Sequence, residues 1–351
     1  MRAELKGAAS ALGAAVLFGV SAPLAKLLLA DAEPLLLSGL LYLGAGLGLL
    51  LVPIALPRLH SRRSETPLRR ADIGLLVGII AAGGVLGPLL LLTGLARVSG
   101  LVGALVLNLE APFTVLLAVL IFGEHLGFRE AGAAAIILLG VVLLSAAGGG
   151  GESGRLGVAA IAAACLSWAV DNNLTQRLSL RDPVAVARTK SLGAGAASLV
   201  LALVLGERLP IAAHVGPALL LGFTSYGVSL VLAVEAMRLL GAAREAAFFA
   251  IAPFAGALAA VPILGDHLGA RELVAMLVLV LGVVALLRAE HGHIHTHAVL
   301  EHEHGHFHDE HHQHAHSAAD PAGEPHAHAH RHDPITHRHA HRSDLHHRHR
   351  H

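Results

Sequence analysis

Gly94–Glu130 reads GLARVSGLVGALVLNLEAPFTVLLAVLIFGEHLGFRE, and a weaker copy of it returns at Glu235–Glu272 as EAMRLLGAAREAAFFAIAPFAGALAAVPILGDHLGARE. In both copies an Arg stands fifteen positions before a Pro (Arg97 and Pro112; Arg238 and Pro253), with a Gly between them (Gly100; Gly241). Each copy then runs apolar into an acidic turn, Gly123-Glu124-His125-Leu126-Gly127 in the first and Gly265-Asp266-His267-Leu268-Gly269 in the second. A chain built twice from long apolar segments predicts a membrane protein made of internal repeats.

Composition agrees. Hydrophobic residues make up 54% of the chain and charged residues 14%, roughly half the charged share of a soluble protein; mean hydropathy is +0.65. The single cysteine, Cys165, excludes an internal disulfide framework and any CxxC motif. Arg2 and Lys6 precede an apolar run from Gly7 to Ala30 that is too long for a signal core, so it reads as a first membrane span.

Windows of about twenty apolar residues match the thickness of a bilayer core. Ten occur, near Ala8–Leu29, Pro34–Leu56, Asp72–Ala96, Ser99–Phe122, Glu130–Ala147, Arg155–Asn173, Asp182–Leu205, Gly216–Met237, Gly241–Leu264 and Glu272–Leu287. Helices must span, because runs this long and evenly apolar do not alternate as barrel strands do. The expected fold is an all-α integral membrane protein of ten transmembrane helices. Gly44, Gly46 and Gly48, and the Gly74/Gly78 pair, offer small faces for close helix packing.

The first and sixth windows also correspond, LFGVSAPLAK (Leu17–Lys26) to LSWAVDNNLTQ (Leu166–Gln176), so the repeat is five spans long. An odd count turns the second copy upside down. The expected organisation is a first repeat over 1–147, a Gly-rich flexible linker over 148–154, a second, inverted repeat over 155–289, and a tail over 290–351. With the N-terminus inside, thirteen Lys and Arg (among them Arg58, Arg62, Arg63, Arg69 and Arg70) lie on the cytoplasmic side against Arg97, Arg155, Arg208 and Arg271 outside. That bias puts both termini in the cytoplasm of a plasma membrane, by default a bacterial inner membrane.

These features together resemble the drug/metabolite transporter superfamily in its EamA-type members. The resemblance covers roughly residues 8 to 288 and is carried by the two five-span halves, Leu109-Glu110-Ala111-Pro112-Phe113, the Gly-Glu/Asp-His-Leu turns, and the aromatic-polar stretch in spans one and six. It implies a ten-helix carrier with both ends in the cytoplasm and a central cavity between the halves, exporting amino acids, other metabolites or drugs. Phe18 stands where span six has Trp168, and the tail lies outside the family's core.

Glu110 falls near the middle of span four, two residues after Asn108 and two before Pro112. A carboxylate at that depth should face the bundle interior or a water-filled cavity. Pro112 cannot donate to the carbonyl of Asn108, which leaves an acceptor for substrate, ion or water. Glu110 is thus expected to couple protons or bind a substrate amine; the plainer reading is a hydrogen bond to a neighbouring helix. Pro253 marks the equivalent break, but Ile251 occupies the position matching Glu110. Arg244 and Glu245 read as an interfacial ion pair.

Span six holds the densest polar run, Trp168, Asp171, Asn172 and Asn173, opposite Arg188 and Lys190 of span seven. Asp171 paired with one of these cations would serve as a gate or an anion contact, unless the run is simply a helix end meeting water. Trp168 suits either stacking on a substrate or anchoring at the interface. Lys26 suits snorkelling or substrate contact, and Pro23 is expected to break the first helix. Glu124 and Asp266 read as helix ends.

Of the 27 histidines, 23 lie between His291 and His351. This tail is too polar for a core and is expected to be disordered without a ligand. Its H-x-H and HH clusters, His291, His293, His295, His297, His302, His304, His306, His308, His311, His312, His314 and His316, suit zinc, nickel, cobalt or copper. No cofactor is required beyond such metal binding. There is no P-loop, G-x-S-x-G, H-E-x-x-H or basic-aromatic surface for nucleic acid, so the chain does not read as an enzyme and its energy must come from a gradient. The expected function is a secondary transporter, an exporter of small metabolites, amino acids or drugs. The alternatives are efflux of a divalent transition metal, with the tail as collector, and a non-transporting metal-responsive sensor. The expected partners are a small-molecule substrate, the lipid bilayer and transition-metal ions; a homodimer is left open.

Overall fold

A membrane leaves the backbone of each apolar window no partner but itself, so the windows become helices. Breaks fall where Pro or Gly disturbs the hydrogen-bond ladder. The structure, a computed structural model, describes residues 2–55, 66–122, 127–147, 151–178, 181–208, 212–240, 242–288, 291–296, 300–306, 326–332 and 336–341.

In the first half, α1 (Arg2–Gly19) and α2 (Ser21–Leu28) run end to end, followed by α3 (Pro34–Ala55). Next, α4 (Ile73–Ile79) passes through a π-helical segment, Ile80–Leu86, into α5 (Gly87–Leu95). A 3-10 turn at Leu107–Leu109 joins α6 (Gly100–Val106) to α7 (Glu110–Phe122), and α8 (Phe128–Ala147) follows. The second half has the same plan: α9 (Gly151–Thr175), α10 (Pro183–Val204), α11 (Ala212–Gly222), a π-helical segment at Phe223–Val228, α12 (Ser229–Leu240), α13 (Ala242–Phe249), α14 (Ala252–Leu264) and α15 (Ala270–Leu287).

Eight helical stretches among the described residues are long and apolar enough to cross a membrane. Two expected windows fall outside that set. Pro183–Val204 carries Arg188 and Lys190 in its first turns, whereas the side chains of Phe128–Ala147 are described only as far as Leu144. The joint expected over 148–154 is shorter than its composition predicts, because α9 already begins at Gly151. Glu152 in its first turn suits the positive end of the helix dipole.

The two halves interlock. Helix α1 lies along α12 and α14, while α9 lies along α5 and α7; α3 pairs with α10, α6 with α14, and α8 with α15. Leu35, Leu36, Leu92, Leu95, Leu101, Leu105 and Ile161 are fully buried between them. Large apolar side chains such as Leu120, Val204 and Leu277 are exposed on the outside, where lipid is their natural solvent. Backbone contact is closest where α3 meets α11. A Cβ on Gly44 would lie 2.1 Å from Leu219 O, and one on Gly222 1.9 Å from Leu41 O.

Strand β1 (His291–Thr296) pairs antiparallel with β4 (Thr336–His341), and β2 (Leu300–His306) with β3 (His326–His332). Alternation of His with other residues has the two-residue period of a strand. His297, His308, His311, His312, His314 and His316 lie outside the described residues, as do Glu124 and His125.

Candidate functional site

The proline breaks organise the centre of the bundle. Pro23 cannot donate to Gly19 O, and the helix is interrupted at Val20. Pro253 stands in the first turn of α14, just after the chain turns at Ala250 and Ile251. These two breaks meet: a Cβ on Gly19 would lie 2.1 Å from Ala252 O, and one on Gly256 2.5 Å from Gly19 O. Only glycine permits that approach. Pro112 follows the 3-10 turn at Leu107–Leu109, whose tighter winding carries the chain past the missing donor.

A further break arises at Ile80–Leu86, where Gly87 N–H bonds Ala82 O, five residues back. In that register residue 88 would serve Gly83 O, but Pro88 has no N–H. Other helices supply the donors. Trp168 Nε1 donates to Gly83 O at 3.0 Å and Tyr42 Oη donates to it at 2.9 Å, while Ser167 Oγ donates to Ala82 O at 2.9 Å. Trp168 is therefore buried, with its indole edge committed to this carbonyl, rather than standing as an interface anchor.

Two carboxylates stand nearby in different surroundings. Asp171, only 3% exposed, is ion-paired with Lys190, and Thr175 Oγ1 donates to its other oxygen at 3.2 Å. Of the two expected cations, Lys190 takes the role. Glu110 Oε1 accepts from Asn172 Nδ2 at 2.8 Å, and that amide lies 3.4 Å from Thr114 Oγ1. Among the described residues no cation is ion-paired with Glu110. Asn172 is exposed and Glu110 half-buried, so this pair is reachable where Asp171 is not. Asn173 ties α9 to α7 by donating to Thr114 O at 3.1 Å and to Ala169 O at 2.8 Å. Asn108 is buried and donates to Leu105 O at 2.8 Å, bracing its own turn. Lys26 donates to Leu95 O and so holds a helix end rather than extending freely.

An aromatic tier borders the polar one. Phe18 meets Tyr226 edge-on at 5.7 Å and Phe249 at 5.3 Å, and Tyr226 stacks on Tyr42 at 5.6 Å. Phe18 thus rests on the second π-helical segment much as Trp168 rests on the first. Sequence reasoning missed both tyrosines. The available signal was their scarcity: the chain has two, and they stack on each other. Glu245 is buried, and among the described residues no ion pair joins it to Arg244. Cys165 is buried, its Sγ 3.8 Å from Val106 O. Among the described residues no three or more His, Cys, Asp or Glu side chains are grouped to hold a metal.

The arrangement is a polar and aromatic site at helix breaks, where Glu110 is the more reachable of the two carboxylates. The EamA-like transporter family matches the chain twice, over residues 5–146 and 155–288. An uncharacterized transporter of Methanothermobacter thermautotrophicus is 30% identical over 296 residues, covering 81% of this chain and 86% of that protein. A protein of known crystal structure, 21% identical, shares the fold with a TM-score of 0.58, covering 82% of this chain and 99% of its own. This is a multi-pass membrane transporter rather than an enzyme, and the chain belongs to the EamA-like transporter family.

Proposed function

We propose that the protein is a secondary exporter that moves small metabolites, amino acids or drugs by alternating access, with Glu110 and Asn172 contacting a substrate amine or a coupling proton. One observation carries this reading. Among the described residues Glu110 is hydrogen-bonded by an amide and ion-paired with no cation, whereas Asp171 is neutralised by Lys190. A half-buried carboxylate without a counter-cation gains most from a proton or a cationic group.

The reading includes ten membrane crossings in two inverted five-span repeats, with both termini in the cytoplasm of the inner membrane. Several helix pairings, such as α1 with α12 and α14 against α9 with α5 and α7, survive exchange of the halves and support the repeat, and the excess of Lys and Arg on one side supports the orientation. Uptake into proteoliposomes, screened with amino acids, cationic drugs and divalent metals with and without a proton gradient, tests it. Glu110→Gln should abolish the proton dependence; a variant with normal flux and an unchanged pH profile would reject the coupling role.

A second reading rests on the 23 histidines after residue 290: the tail gathers zinc, nickel or cobalt for efflux or for sensing. Deletion of residues 291–351 should then lower metal tolerance. Unchanged tolerance would reject this reading. Metal-dependent signalling without flux would instead favour a sensor.

A further inference from the structure

We infer that Lys26 and Asp266 form a two-point latch on the α5–α6 turn, closing that end of the carrier and positioning it in one state of its cycle. The inference rests on the alternating-access reading above.

A turn between two helices leaves carbonyls at the end of the first and N–H groups at the start of the second unserved. Between α5 and α6 some are served locally: Arg97 Nη1 donates to Thr93 O at 2.6 Å, and Ser99 Oγ accepts from Val102 N at 3.2 Å. Others are served from far along the chain. Lys26, on α2, donates to Leu95 O. Asp266, just past α14, accepts from Leu101 N through Oδ2 at 2.7 Å. The signs suit the helix ends, a cation on the C-terminus of α5 and an anion on the N-terminus of α6. Lys26 and Asp266 also lie within electrostatic reach of each other.

Two observations make this a latch rather than fixed mortar. The groups released, Leu95 O and Leu101 N, lie at helix ends and outside the intrahelical ladders, so the contacts can part without unfolding a helix. The helices that bring the charges, α2 and α14, both start at proline breaks, and those breaks touch at Gly19 and Ala252. They form one hinged lever whose far ends grip the turn. Below the grip, α6 and α14 close tightly: a Cβ on Gly100 would lie 3.3 Å from that of Ala260.

Accessibility tests the latch. In a Cys165→Ala background, Ser21→Cys places a thiol at a buried position beside the central site. Its labelling by a membrane-impermeant maleimide is followed in sealed vesicles, with reagent on one face at a time. Asp266→Ala and Lys26→Met should each raise labelling from the face at the α5–α6 turn at least tenfold, while Asp266→Glu should stay near the parent rate. Equal rates in all variants, or an equal rise from both faces, would overturn the latch. No substrate is needed for the measurement, so failure of the latch and failure of the transport reading are told apart.

Discussion

Placing a carboxylate at the centre of a membrane costs roughly 2.5–3.5 kcal/mol on insertion scales, and Asp171 and Glu110 meet that cost by different means. Asp171 has Lys190, so Lys190→Met leaves a buried charge uncompensated and should destabilise the protein by about 3–5 kcal/mol. Adding Asp171→Asn should recover most of the loss, as read by thermal unfolding in detergent. The presence of an acid in span four and a polar run in span six was legible in the sequence; the partners were not. Successive helix residues point about 100° apart, so Asp171 and Asn172 address different neighbours, and Arg188 and Lys190 face nearly opposite ways. Which of them meets depends on helix rotation. Glu207 offers a simpler titration. It accepts from Leu36 N at 3.0 Å at the start of α3, and partial burial raises its carboxyl above the usual range, with the Leu36 hydrogen bond opposing the shift. A raised acid favours folding below its unfolded pKa and loses that contribution as pH rises through its folded value. Glu207→Gln keeps an acceptor and drops the charge, so its thermal midpoint should equal or exceed the parent's at pH 7, with the difference vanishing near pH 4.

Among the helices, the proline breaks at Pro23, Pro112 and Pro253 were legible because proline removes a specific donor. The π-helical segment before Pro88 follows from the same chemistry, although α-helical continuation past an N-terminal proline reads identically in sequence. Phe223–Val228 winds the same way with no proline within it, so no removed donor announces it in the sequence. Glycines divide in a similar way. Gly44 and Gly74 both read as packing positions, yet a Cβ at Gly44 would strike the α11 backbone while nothing lies within 4 Å of one at Gly74. Small residues advertise close approach without saying what approaches. Gly222→Ala, aimed at Leu41 O, should therefore cost about 1–3 kcal/mol, the usual penalty of overpacking. Gly74→Ala should instead stabilise by about 0.5–1 kcal/mol, since alanine is the better helix former. Thermal unfolding of the two variants side by side checks the contrast.

For the molecule as a whole, the repeat suggests that one half rocks against the other, but the packing redraws the units. Helix α1 of the first half lies with α12 and α14 of the second, and α9 of the second lies with α5 and α7 of the first. Exchange of the halves leaves this scheme unchanged. The first helix of each half therefore packs into the other, which the repeat along the sequence could not reveal, because internal similarity records ancestry of segments and not their neighbours. Two cross-links separate these descriptions. Gly13 in α1 faces Leu232 in α12, where a Cβ would lie 3.4 Å from Leu232 Cδ1; Gly100 in α6 faces Leu264 in α14 at 2.3 Å. Both pairs join the two sequence halves. If the halves were the rigid bodies, a short thiol cross-link at either pair would arrest transport. If α1 travels with α12 and α14, a link between Gly13→Cys and Leu232→Cys in a Cys165→Ala background should leave flux within about twofold of the unlinked protein, since it joins groups that move together. A link between Gly100→Cys and Leu264→Cys should stop it. Arrest by both links would return the motion to the sequence halves.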